Sequence, residues 1–111
     1  MLLETKKYFL WTMHRPSNVD NEENLNKFVS LISRLSDDLP IVFPLHPRCE
    51  KNLTKFNLIS TIRRNKNIIT LPAQGYLEFL DLMSNSRLVF TDSGGIQAET
   101  TILGVPCLTI R

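Results

Sequence analysis

The chain has 111 residues, of which 42% are hydrophobic and 22% charged, the balance of one ordinary globular domain rather than of a disordered or coiled-coil segment. Thirteen basic and 11 acidic residues leave a net charge of +2, too small a field to point to nucleic acid or an anionic membrane surface as partner. No run approaches the roughly 18 consecutive apolar residues of a transmembrane helix. The opening MLLETKKYFLWTM does not read as a signal peptide, because the apolar part YFLWTM is short, the lysines follow Glu4, and no small-residue cleavage site comes after it. Two cysteines, Cys49 and Cys107, lie far apart with neither a CxxC pair nor clustered histidines, so no metal site and no disulfide framework is expected. The expected setting is the reducing cytoplasm.

Tyr8 to Met13 is an apolar, aromatic run suited to a buried strand. Turn formers follow at Arg15-Pro16-Ser17-Asn18 and predict a loop. Leu25, Phe28, Val29, Ile32 and Leu35 then mark one face of a helix of about four turns. Asp20 or Asn21 can cap it, and Glu22 and Glu23 suit its positive end. Pro40 closes this unit, and Ile41 to Leu45 predicts a second strand, ending in His46-Pro47. Cys49 to Asn65 suggests one or two short helices, with Arg63, Arg64 and Lys66 as a solvated basic end.

Ile68 to Leu71 predicts a third strand, Tyr76 to Met83 a helix, and Leu88 to Thr91 a fourth strand. Ser93 caps a helix running through Ile102, with Gly104 just past its end. Val105 to Ile110 predicts a fifth strand, with Cys107 buried in it. Strands alternate with helices and are continuously apolar, the pattern of a doubly wound, Rossmann-like parallel sheet covered on both faces. The chain ends directly after that strand, which suggests a piece of something longer.

In such a sheet, ligands bind outside the carboxyl ends of the strands, where the strand order reverses. With the order 3-2-1-4-5, the reversal lies between strands one and four. Their loops, Met13-His14-Arg15-Pro16-Ser17-Asn18 and Asp92-Ser93-Gly94-Gly95, are the most polar and motif-like stretches of the chain. Two glycines at a helix start let an anion reach backbone N–H groups that lack helical partners, and the Ser93 hydroxyl adds a donor, so a phosphate or diphosphate is the natural guest. Glu99, six residues after Ser93, can accept from a pair of sugar hydroxyls. His14 can act as acid or base near neutral pH, and Arg15 offers a planar fork to phosphate. His46-Pro47-Arg48 presents the same pair of side chain types from the loop after strand two. Trp11 and Phe9 read as core, and no G-x-S-x-G elbow supports a hydrolytic triad.

Met13-His14-Arg15-Pro16-Ser17-Asn18, Pro44-Leu45-His46-Pro47-Arg48, Tyr76-Leu77-Glu78-Phe79 and Thr91-Asp92-Ser93-Gly94-Gly95-Ile96-Gln97-Ala98-Glu99 follow in the order and spacing of one family. Over nearly its whole length the chain resembles the C-terminal domain of the non-hydrolysing UDP-N-acetylglucosamine 2-epimerases, which share the two-domain architecture of GT-B glycosyltransferases. The resemblance implies that His14 and His46 are catalytic and that Phe79 packs on uracil. It implies that Ser93, Gly94 and Gly95 bind the diphosphate, that Glu99 holds the ribose, and that Arg15 and Arg111 join the UDP contacts. Where many members have Gly before the histidine and Glu before the asparagine, this chain has Met13 and Ser17.

The implied reaction interconverts UDP-N-acetylglucosamine and UDP-N-acetylmannosamine by elimination of UDP to a glycal and its re-addition with inversion at C2, without cofactor or metal. Residues 1–111 would then be one partial UDP-binding domain. The N-terminal domain, which carries the family's catalytic carboxylates, and the closing C-terminal helices would be missing, and the full-length enzyme is expected to be a homodimer. The competing expectations are the nucleotide-sugar half of a GT-B glycosyltransferase and a non-catalytic nucleotide-binding fragment.

Overall fold

A computed structural model describes residues 6–110. Five parallel strands, β1 (Phe9–Thr12), β2 (Ile41–Leu45), β3 (Ile68–Pro72), β4 (Leu88–Thr91) and β5 (Cys107–Thr109), form one sheet in the order β3-β2-β1-β4-β5. Six helices connect them: α1 (Pro16–Val19), α2 (Glu22–Leu35), α3 (Pro47–Lys55), α4 (Ile59–Arg64), α5 (Tyr76–Ser84) and α6 (Gly94–Leu103).

The strands are apolar throughout because successive residues feed two different cores. Trp11, Ile41, Phe43 and Phe90 join the larger cluster with Leu25, Phe28, Val29 and Ile32 of α2, Cys49 and Leu53 of α3, and Ile62 of α4. Leu10, Val42 and Val89 point to the other face and pack with Met83 of α5 and Val105, flanked by Phe79, Leu80 and Ile96. Fully burying each large side chain contributes about 1.5–3 kcal/mol, so the double layer is what holds the sheet. Trp11 is the largest of them, stacked on Phe90 at 5.2 Å between ring centroids and edge-on to Phe28 at 5.9 Å.

Local chemistry sets the ends of the elements. Asn21, rather than Asp20, caps α2, its side chain accepting from the Asn24 N–H at 2.9 Å. Gly104 ends α6 in the left-handed conformation at φ 72°, which glycine adopts without a Cβ penalty.

Three boundaries differ from the sequence expectation. Pro16–Val19 is a helical turn, not a loop, because Pro16 is preset for a first helical position and Val19 is drawn into the core. The Cys49–Asn65 stretch holds two helices, the first beginning at Pro47. β5 is shorter than expected because the Val105 N–H is taken by the Thr100 carbonyl and Pro106 has no N–H to give. Cys107 is half-buried rather than buried, since β5 is the outermost strand described.

Candidate functional site

β1 and β4 lie side by side in register, Thr12 opposite Thr91, and their hydroxyls are 3.1 Å apart at the carboxyl edge. From this edge the chain leaves β1 toward α1 and α2 on one face and leaves β4 toward α6 on the other. The split opens a crevice, the topological switch point where α/β sheets bind ligands.

Two cavities occupy the crevice. A smaller one of about 350 Å³ is lined by His14, Arg15, Pro16, Asp92, Ser93 and Gly94. A larger one of about 420 Å³ is walled by Thr12, His14, His46, Tyr76, Phe79 and Glu99 among others. His14 lines both and forms the junction between them.

The smaller cavity has the chemistry of an anion site. Ser93 is the N-cap of α6, its hydroxyl accepting from the Ile96 N–H at 3.4 Å, long enough to be surrendered to a better partner. Neither Gly94 nor Gly95 has a positive φ. A Cβ on Gly94 would meet nothing within 4 Å, and one on Gly95 only the Ser93 Oγ at 3.7 Å. Nothing among the described residues therefore demands glycine there. What the missing side chains leave is open space over the first N–H groups of a ten-residue helix, through which an anion can approach. Arg15 is exposed on the opposite wall.

His14 is half-exposed, with its Nδ1 3.9 Å from Asp92 Oδ1 and its ring centroid 6.3 Å from that of His46. Burial lowers its pKa from the usual imidazole value, Asp92 pulls the other way, and His46 adds to the lowering. His46 is exposed and caps α3 through Nδ1, which accepts from the Arg48 N–H at 3.2 Å. With Nδ1 as acceptor, the N–H of the neutral ring sits on Nε2.

Arg48 does not join the crevice as the second histidine–arginine loop had suggested. Its guanidinium donates from Nε to Asp20 Oδ1 at 2.8 Å and from Nη2 to Asp20 Oδ2, and Asn52 Nδ2 also reaches Asp20, so the arginine ties α3 to the end of α1. At the far wall of the larger cavity, Glu99 accepts from the Tyr76 hydroxyl at 3.3 and 3.4 Å, beside the half-buried Phe79 ring.

The structure thus brings His14, His46, Phe79, Glu99, Arg15, Ser93 and Gly94 together, with Gly95 exposed one residue further along α6. Arg111 lies outside the described residues. Sequence reasoning missed Tyr76 as a partner of Glu99, and it missed Asp92. The Asp92 carboxylate is fully buried and accepts from the His14 N–H, the Arg15 N–H and Asn18 Nδ2, all within 3.0 Å. The available signal was an acidic residue at the very end of an apolar strand, beside a loop carrying an asparagine. Among the described residues, no group of three or more His, Cys, Asp or Glu side chains is placed to hold a metal ion.

The profile of the UDP-N-acetylglucosamine 2-epimerases matches residues 2–111. The chain belongs to the UDP-N-acetylglucosamine 2-epimerase family. A UDP-N-acetylglucosamine 2-epimerase of Methanococcus maripaludis is 46% identical over 112 residues, which cover 99% of this chain but 31% of that protein. The solved UDP-GlcNAc 2-epimerase of Methanocaldococcus jannaschii superposes with a TM-score of 0.94 at 46% identity, over 98% of this chain and 31% of that one. The same enzyme has been solved in complex with UDP-GlcNAc and UDP, and matches with a TM-score of 0.88. The chain therefore spans about a third of the length of these epimerases. An Escherichia coli heptosyltransferase, WaaC, superposes with a TM-score of 0.66 at 16% identity, covering 95% of this chain and 32% of that one, a likeness of fold alone. Among the described residues, no helix is long and apolar enough to cross a membrane.

Proposed function

We propose that this chain is the UDP-binding half of a UDP-N-acetylglucosamine 2-epimerase, interconverting UDP-N-acetylglucosamine and UDP-N-acetylmannosamine once completed by a second domain. The observation that carries the reading is the meeting of the two cavities at His14. The helix start of Ser93-Gly94-Gly95 and the Arg15 side chain suit a diphosphate on one side. Phe79 and Glu99 suit the uracil and ribose on the other. Arg111 would join the UDP contacts by family resemblance.

In this reading the N–H groups at the start of α6 and the Arg15 guanidinium stabilise charge as the diphosphate departs, the step that electrostatic preorganisation serves best. His14 and His46 hold or move protons beside the reacting sugar, and the lowered pKa of His14 leaves a neutral ring available as a proton acceptor near pH 7. By family resemblance the catalytic carboxylates, and with them full turnover, would belong to an N-terminal domain outside residues 1–111. The chain's partial coverage of its relatives supports that division. A homodimer of the complete protein is carried by the family resemblance alone. A cytoplasmic setting is supported by the free cysteines Cys49 and Cys107 and by the nucleotide-sugar chemistry.

The test is the full-length protein incubated with UDP-N-acetylglucosamine in D2O. Epimerisation with deuterium incorporated at sugar C2 is expected. In that protein His14→Ala should depress turnover more than UDP binding. Absence of C2 exchange would remove the epimerase reading.

A further inference from the structure

Asp92 is 2% exposed as a residue, with its side chain wholly buried, yet it lies against the cavity that suits an anion. A free carboxylate there would repel a phosphate and would be costly to bury. Its oxygens are instead turned to the loop after β1: Oδ1 accepts from the His14 N–H at 2.9 Å, and Oδ2 from His14 N–H at 3.0 Å, Arg15 N–H at 2.9 Å and Asn18 Nδ2 at 3.0 Å. Asn18, itself 3% exposed, is held in the interior by this bond. The acceptor and its donors are at least 74 residues apart in sequence, so the contact fastens the β1 loop to the β4 loop across the crevice. The imidazole of the residue so anchored has its Nδ1 within ion-pair reach of the same carboxylate.

We propose that Asp92 is a positioning residue for His14, fixing the loop that carries it and serving as counter-ion when the imidazole is protonated. The inference rests on the reading of His14 as the group that serves the reaction. Holding a proton-transfer group within a few tenths of an ångström is worth orders of magnitude in rate, and an anchored backbone with a paired ring achieves that without a contact to substrate. Among the described residues, the other titratable or charged groups near His14 are His46 from the β2–α3 loop, Glu99 of α6 across the larger cavity and Arg15 beside it, and the Cys49 thiol is close enough to Asp92 to feel its charge.

The experiment is a proton NMR titration of the His14 imidazole in the chain, wild type against Asp92→Asn, with UDP added to each at the end. Removing the carboxylate charge should make His14 take up its proton at lower pH than in wild type, a change that loss of loop anchoring alone would not produce. An unshifted His14 titration in a folded Asp92→Asn chain overturns the proposal. Should that variant fail to fold, wild type decides through amide hydrogen exchange. The His14 and Arg15 N–H groups, although in a loop, should exchange at least about tenfold more slowly than free peptide amides, and Asn18→Ala should speed both. Exchange at free-peptide rates overturns the proposal. The two failures are separable: a wild-type chain that ignores UDP while His14 follows Asp92 condemns the functional reading, whereas one that binds UDP with His14 indifferent to Asp92 condemns only this inference.

Discussion

Around the smaller cavity, Asp92 is buried with both oxygens engaged and Asn18 is locked beneath the His14 loop, whereas around the larger one Tyr76 is 66% exposed and reaches Glu99 only through bonds of 3.3 and 3.4 Å. The first end is assembled from interior groups that the fold has committed before any ligand arrives. The second carries exposed side chains in its wall, Tyr76 among them, that can adapt when a ligand arrives. The contrast matches what each end is asked to do. Under the proposed function, charge would develop on a departing diphosphate beside His14, where small displacements matter, while a base and a ribose would need contact area and hydrogen bonds that can adapt on binding.

Stability should expose the contrast most strongly. Asp92→Ala leaves two backbone donors and the Asn18 amide without their acceptor in the interior, and should cost about 3 kcal/mol or more in urea unfolding. Glu99→Ala, at the adaptable end, should stay within about 0.5 kcal/mol of wild type in the same assay. Equal losses would erase the distinction between the two ends.

Binding should show the reverse emphasis. Glu99→Ala and Ser93→Ala should each weaken UDP by about 1–2 kcal/mol, roughly 5- to 30-fold in Kd by calorimetry, from lost hydrogen bonds. Unchanged affinity in both would remove Ser93 and Glu99 from the proposed UDP site.

Beneath the built end, burial pushes the Cys49 thiol from its usual 9.0 to about 12, with Asp92 adding to the rise. The folded chain keeps a proton that the unfolded chain releases, so stability is full below about pH 9 and falls as pH climbs from there toward 12. Tyr8, raised to about 12 by burial and by Asp81, adds a second loss above pH 10. Urea midpoints at pH 8 and 10.5 should therefore differ, and Cys49→Ala should reduce the difference without abolishing it. Tyr76→Phe should have the smallest effect, within about twofold on UDP affinity, because an exposed bond of that length is weak. A larger loss would mean that Tyr76 itself contacts the nucleotide.

What could be read from the sequence was local. The spacing of Leu25, Phe28, Val29 and Ile32, the Ser93 cap, Gly104 and the continuously apolar strands specify elements through chemistry within a few residues, and the alternation of those elements specifies the parallel sheet. His14, Ser93 and Gly94 stood out because they follow the two strands at the reversal of strand order. The pairing of Arg48 with Asp20 spans 28 residues and that of Asp92 with the His14 loop 78, distances at which no periodicity or motif reports a partner. Phe79 as a base contact came from family resemblance, since an aromatic residue on a helix facing a core reads equally as packing. Pro16 is compatible with both a turn and a first helical position, and only the burial of Val19 decides between them.

The measurement that bears most directly on the account is an amide NMR titration of this chain with UDP. Dispersed resonances with shifts concentrated at Ser93, Gly94, Gly95 and Glu99, extending to His14, are the predicted result. Dispersed resonances that do not move at millimolar UDP would contradict a nucleotide site at the start of α6.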